Sequence, residues 1–227
     1  WLKAFSDGCA GRWSWLPHTM SVNRFLHDFE VTEAEQAALL RLSERALALH
    51  GCSEPAHFMV AGHGAAESED ADDAELAMAR RLAQRLAAHA APAFDIIGTR
   101  VLISPPAAPA QPWHLDFSKH FTEVHTAFIA ITPATAENCT EVLDLGAHHD
   151  DVVARARSAG RPLPKEDWEQ CFEGGGAHVW PLLIPRWKAC VLRTSHNFHR
   201  RGANRSAFTR LTFNVDMVNN AQQMDRE

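Results

Sequence analysis

At residue 94 the texture of this chain changes, and few folds accommodate the change. Before it, apolar residues recur three and four apart. Thr32 with Glu35 makes a capping box, and Leu39, Leu42, Ala46 and Leu49 follow at helical spacing until Gly51. A second helix is predicted from Asp72, with Glu75 at its third position, through Leu76, Ala79, Leu82 and Leu86 to the stop before Pro92. Residues 62–73 between them are small and acidic, which predicts an exposed loop. From 94 onward the apolar and β-branched runs are short: Ile96–Ile103, Ala127–Thr132, Cys139–Leu145, Trp180–Ile184, Ala189–Leu192 and Leu211–Val218, many of them separated by Pro and Gly. Helices followed by short strands predict an α+β protein, its helical N-terminal part (1–93) packed on a double-sheet jelly-roll core (94–218). A polar insertion at 147–179, with helix-prone runs Asp150–Ser158 and Lys165–Phe172 and a triple glycine at 174–176, interrupts that core. Such a long insertion predicts a lid.

The 227 residues fit one domain with a core of its own, with no internal repeat. A net charge of −6 gives no footing for nucleic acid or an anionic membrane, and no run approaches the ~20 apolar residues of a membrane span. Cys9, Cys52, Cys139, Cys171 and Cys190 are dispersed and odd in number, which argues against a disulfide framework or a cysteine zinc site and for buried thiols in a reducing compartment. The first residues, Trp-Leu-Lys-Ala-Phe, show neither an initiator Met nor a signal-peptide pattern; a trimmed, intracellular, cytoplasmic protein is expected, from which any targeting segment would be missing. Oligomeric state is not legible.

The chemistry concentrates in Pro112-Trp113-His114-Leu115-Asp116-Phe117. Residues two apart in a strand face one way, so His114 and Asp116 can address one ion. An imidazole and a carboxylate are two-thirds of a 2-His-1-carboxylate facial triad, which leaves positions open for other ligands on iron. Alone the tripeptide is weak evidence in a chain with 14 histidines. It gains from the stretch His199-Arg-Arg-Gly-Ala-Asn-Arg-Ser-Ala-Phe-Thr-Arg210, in which a distal His is followed eleven residues later by an Arg on the next predicted strand. A guanidinium binds a carboxylate through two parallel hydrogen bonds and stays charged, which suits the far carboxylate of 2-oxoglutarate. Thr212, on the same strand face, can add a hydroxyl to that carboxylate.

These residues make the C-terminal half resemble the phytanoyl-CoA dioxygenase-like group of 2-oxoglutarate oxygenases. The group carries an HxD, then a Glu-Asn stretch, then H-x-x-G-x-N-x-S followed by Arg. Here Glu137-Asn138-Cys139-Thr140-Glu141-Val142 runs on to Gly146-Ala147-His148, and His199, Gly202, Asn204, Ser206 and Arg210 keep the final spacing. The resemblance spans about residues 95–218. It implies a double-stranded β-helix of cupin type, Fe(II) held by His114, Asp116 and His199, 2-oxoglutarate and dioxygen as cosubstrates, Arg210 and Thr212 as the cosubstrate's anchor, and release of succinate and carbon dioxide. It selects His199 over His196 as distal ligand and makes His148 a loop residue. The carboxylate of Asp116, where related halogenases carry a small residue, favours hydroxylation or another oxygen-derived two-electron oxidation (desaturation or ring formation) over halogenation. Pro185-Arg186-Trp187-Lys188 and Cys139 depart from the group's pattern, outside the implied ligand set.

For the primary substrate, a small molecule, Trp113, Trp187 and Arg193 are the candidates, with Trp180 and Arg200 beside them, since all flank the expected site in sequence. Core packing is the ordinary role of such tryptophans. Two other readings share the motifs: a metal-binding jelly-roll sensor without turnover, and a cupin-like metalloenzyme that uses no 2-oxoglutarate.

Overall fold

The computed structural model describes residues 24–51, 53–62, 73–116, 123–159 and 176–219. In chain order these form β1 (Arg24–Leu26), α1 (Glu33–His50), β2 (Ala56–Gly62), α2 (Ala74–Ala90), β3 (Phe94–Ser104), β4 (Val124–Ala130), β5 (Thr140–Asp144), α3 (His149–Ala159), β6 (His178–Leu182), β7 (Ala189–Leu192), β8 (Phe198–Arg201) and β9 (Arg210–Asn219). A 3-10 turn, Gly146–His148, leads into α3. The protein is thus a mixture of helices and antiparallel sheet. The predicted run Lys165–Phe172, Gly174 and Gly175, Cys9, Cys52, Cys171 and most of the acidic loop lie outside the described residues.

The expected caps form. Thr32 accepts from the Glu35 amide while Glu35 accepts from Thr32, and Asp73, one residue later than expected, caps α2 by accepting from the Leu76 amide. Leu76, Ala79, Leu82, Ala83, Leu86 and Ala87 form the buried stripe of α2; Leu39, Leu42 and Ala46 do the same for α1. Arg85 of α2 reaches Glu35 of α1 at 2.7 Å and fastens the pair.

The larger sheet has strand order β1-β7-β4-β9-β3-β2 and the smaller β6-β5-β8. β9 sits between β4 and β3, and its pleat decides what lies where. Leu211, Phe213, Val215 and Met217 face the two helices and share a core with Leu39, Leu42, Leu82 and Leu86. Arg210, Thr212 and Asn214 turn the other way, into a cavity reached also by β5 and β8 of the smaller sheet. A second apolar cluster, with Phe128, Cys190 and Leu192 from one sheet and Cys139, Val142 and Leu182 from the other, joins the two sheets. The outer face of the smaller sheet is closed by α3, whose Val152, Val153 and Ala156 cover Leu143, Phe198, Trp113 and Leu115. Among the described residues no helix is long and apolar enough to cross a membrane.

Candidate functional site

The segment holding His114 is anchored by one antiparallel bridge. The His114 amide donates to the His199 carbonyl at 3.1 Å, and the His199 amide returns the bond to His114 at 3.0 Å. A mutually bonded pair of this kind stands side by side, and the two imidazole centroids are 4.5 Å apart. Asp116, two residues on, donates its amide to the Thr194 carbonyl at 2.9 Å, which turns its carboxylate onto the face His114 occupies. The ligand atoms of His114, Asp116 and His199 all lie within 4.8 Å of one another. His114 Nε2 is 3.8 Å and His199 Nε2 3.4 Å from Asp116 oxygens.

Both imidazoles are set for a metal. His114 Nδ1 donates to the Pro112 carbonyl at 2.9 Å and His199 Nδ1 to the Asn197 carbonyl at 3.1 Å. A carbonyl can only accept, so in each ring Nδ1 carries the proton and a neutral ring presents the Nε2 lone pair to the cluster. Burial alone would raise the Asp116 pKa, but the charge and hydrogen bond of His199, followed by the charge of His114, hold it down to about 2. His114 lies below the usual imidazole value, first through burial and then through the charge of His199. His199 lies above it: burial opposes protonation, and the adjacent Asp116 carboxylate prevails.

Metal binding at His199 therefore competes with protonation of its ring. The stabilisation that a raised His pKa gives the metal-free protein is complete below the unfolded value of about 6.5 and fades as pH rises through the folded value. Metal binding has the opposite trend, because its ligands must be deprotonated. The rise in Tm on adding Mn(II) is accordingly expected to grow between about pH 6 and about pH 8. Thermal melts with and without metal across that range check it, and a flat or falling difference would contradict it.

The three ligands line a cavity of about 210 Å³ that also receives Arg210, Thr212 and Asn214 from β9, Thr140 from β5, Arg100 and Leu102 from β3, and Arg201 from β8. Arg210 is buried. Its Nη1 donates to the Asn138 carbonyl at 2.8 Å, Nη2 to the Thr140 hydroxyl at 2.7 Å and Nε to the Thr212 hydroxyl at 3.3 Å. All three acceptors are neutral, and among the described residues no carboxylate pairs with this guanidinium. Burial brings its pKa down to about 10, which leaves it charged near neutrality. Arg100, by contrast, is held by Asp216 at 2.8 Å.

The remaining motif residues shape the backbone beneath this cation. Asn138 donates to Ser206 at 3.3 Å, and Ser206 donates to Asn204 at 2.6 Å, which ties the turn before β5 to the turn after β8. Gly202 admits the Cys139 carbonyl, which a Cβ would meet at 2.7 Å. The Cys139 and Cys190 thiols are both buried, and burial raises their pKa values.

The substrate candidates fare differently. Trp113 is 2% exposed and lies under α3, on the face opposite His114, with the Arg200 guanidinium 4.2 Å from its ring centroid. Strand alternation requires this: if His114 faces the cavity, Trp113 faces away. Trp187 sits in the turn before β7 at φ 62°, packed against the helix-side core, and Arg193 pairs with Glu123 at 3.5 Å. None of the three lines the cavity. His196 pairs with Asp150 at 3.5 Å, outside the ligand cluster, and His148 is exposed in the 3-10 turn.

Sequence reasoning missed Thr140, Arg201 and the turn 193–197 that holds two metal-ligand candidates. Arg157 of α3 donates to the Ser195 carbonyl at 2.7 Å and His149 to the His196 carbonyl at 3.0 Å. The insertion's first helix is thus fixed to the segment that supports Asp116 and His199. Arg157→Met is expected to weaken Mn(II) binding by about fivefold, less than the 10–100-fold loss typical of partners that touch a ligand directly, with Arg157→Lys intermediate. Metal titration checks it, and affinities equal to wild type would exclude the coupling.

No protein-family model and no curated protein matches the chain. Solved structures do. The α-ketoglutarate-dependent carbocyclase SnoK from nogalamycin biosynthesis has a TM-score of 0.62 at 16% identity, over 87% of this chain and 80% of that one. The epimerase SnoN of the same biosynthesis gives 0.52 at 20%, over 83% and 75%. EctD from S. alaskensis with bound Fe gives 0.55 at 16%, over 88% and 73%. At these identities the likeness establishes the fold: this chain is built as non-haem α-ketoglutarate-dependent enzymes are.

Proposed function

From that fold we propose that the chain is an Fe(II)- and 2-oxoglutarate-dependent dioxygenase, one catalytic domain on a double-stranded β-helix, which hydroxylates a small molecule and releases succinate and carbon dioxide. The observation that carries this reading is Arg210: a buried guanidinium without a carboxylate partner among the described residues, in the same cavity as His114, Asp116 and His199. A buried charge without a counter-charge is destabilising, and a dianionic cosubstrate removes the imbalance.

His114, Asp116 and His199 would hold the iron; the donor set, two neutral imidazoles and one carboxylate, fits Fe(II). Bound there with 2-oxoglutarate and dioxygen, iron supplies the oxidising power for an unactivated C–H bond. The protein's own residues bind and orient. Arg210 and Thr212 take the far carboxylate of 2-oxoglutarate, and Thr140 holds the guanidinium in place. Pro112 and Asn197 fix the imidazole tautomers, and Leu102 and Phe128 contribute apolar wall. The buried thiols of Cys139 and Cys190 and the net charge of −6 support an intracellular enzyme of small molecules.

Succinate formation tests the reading. Protein given Fe(II), 2-oxoglutarate and oxygen should release succinate above a metal-free control, even without its primary substrate. Binding of N-oxalylglycine with Mn(II) but no succinate under any condition would favour the sensor, and no binding of either cosubstrate analogue would favour a metalloenzyme of other chemistry.

A further inference from the structure

The cavity holds one more positive charge than iron and 2-oxoglutarate can use. Arg201 lies two residues beyond His199 on β8, so both side chains enter the cavity from one strand face. Across the smaller sheet Arg201 stands opposite Thr140, whose hydroxyl receives Arg210, and the two guanidiniums repel each other. The Nη2 of Arg201 donates to the Pro109 carbonyl at 3.0 Å. Its Nε is buried and has no hydrogen-bond partner among the described residues, and no carboxylate among them pairs with it.

Loop attachment does not account for this charge. The segment before His114 is already tied to the turn around Arg201 by main-chain groups. Gln111 donates its amide to the Arg201 carbonyl at 2.9 Å, Ala107 donates to Asn204 at 2.8 Å, and Asn204 donates to Ala108 at 2.9 Å. Gln111 Oε1 also accepts from the Arg201 amide at 3.1 Å. A glutamine or methionine would leave all four bonds intact.

Counting charges on the reading above, a divalent metal and Arg210 together offset Asp116 and the two carboxylates of 2-oxoglutarate. Asp216 offsets Arg100. Arg201 remains. We propose, resting on that reading, that Arg201 recognises an oxyanion on the primary substrate, so that the substrate class is small molecules bearing a carboxylate or phosphate. A guanidinium fork suits either group, and a half-buried position strengthens the pairing relative to a solvated one.

The test uses full-length protein loaded with Mn(II) and N-oxalylglycine, which fill the metal and cosubstrate positions without turnover. Benzoate, phenyl phosphate and neutral benzamide are then titrated by calorimetry. Wild type is expected to bind the two anions at least about tenfold more tightly than the amide, as one charge-assisted pair implies. Arg201→Gln should remove that preference while leaving N-oxalylglycine affinity within about twofold, and Arg201→Lys should keep part of it. Benzoate ahead of phenyl phosphate assigns a carboxylate, and the reverse order a phosphate. Equal binding of acids and amide by wild type would overturn the proposal without needing any variant. A fall in N-oxalylglycine affinity matching the loss of the anions would also overturn it, by assigning Arg201 to the cosubstrate. If wild type does not bind N-oxalylglycine with Mn(II), the dioxygenase reading itself fails; if it binds but the anions gain nothing, only the role of Arg201 falls.

Discussion

Arg210→Met is expected to raise the Kd for 2-oxoglutarate by at least about 100-fold, since two charge-assisted hydrogen bonds to one carboxylate contribute roughly 3–6 kcal/mol together. The same change should be mild for the fold. It leaves the Asn138 carbonyl and the Thr140 and Thr212 hydroxyls without the Arg210 donor, at about 1–3 kcal/mol for each that finds no other partner, and it removes a buried cation that no carboxylate among the described residues offsets. The two effects oppose, so Tm should shift little. Isothermal titration with Mn(II) present gives the first quantity and a thermal melt the second. Unchanged cosubstrate affinity in a folded variant would remove Arg210 from the site and the reading built on it.

Asp116→Ala is expected to abolish succinate formation and to weaken Mn(II) binding by at least about 100-fold, the upper range for loss of a group that only supports a ligand. Its second effect is electrostatic. The carboxylate is what lifts His199 above the ordinary imidazole value, so in the metal-free variant His199 should titrate at a lower pH, a shift that imidazole NMR resonances report directly. Asp116 itself has a depressed pKa; the stability it contributes is present above the unfolded value of about 3.9 and disappears as pH falls toward about 2. Wild type should therefore lose Tm across that acidic window faster than the variant does. Parallel acid profiles would show that the carboxylate is not electrostatically engaged.

Much of the fold was legible because local signals agreed with it. The Thr32–Glu35 box, the stripe of α2 and the apolar runs of β3, β5, β7 and β9 each follow from caps or periodicity. Two kinds of element were not. β1 and β2 lie at the edges of the larger sheet, where a strand of three residues or one of small and polar residues carries no clear period. β8 reads Phe-His-Arg-Arg because one of its faces serves the cavity, which deprives it of the apolar alternation that announces a strand. The spacing of His114, Asp116, His199 and Arg210 was legible, and the structure brings the four side chains to one cavity. Thr140 was not legible, because its partner Arg210 is seventy residues away in sequence. Trp113 and Trp187 do not line that cavity; adjacency to His114 does not set facing, and strand alternation places Trp113 on the far face.

The pleat of β9 makes residue-number parity meaningful. Odd positions 211, 213, 215 and 217 face the helix-side core; even positions 210, 212 and 214 face the cavity. Substitution effects along this strand should consequently form a comb, with losses in folding and losses in turnover falling on alternate teeth. A single residue inserted between Ser206 and Arg210 would exchange the two sets at once, burying Arg210 among leucines and turning Phe213 into the cavity. The strand therefore tolerates replacement far better than displacement.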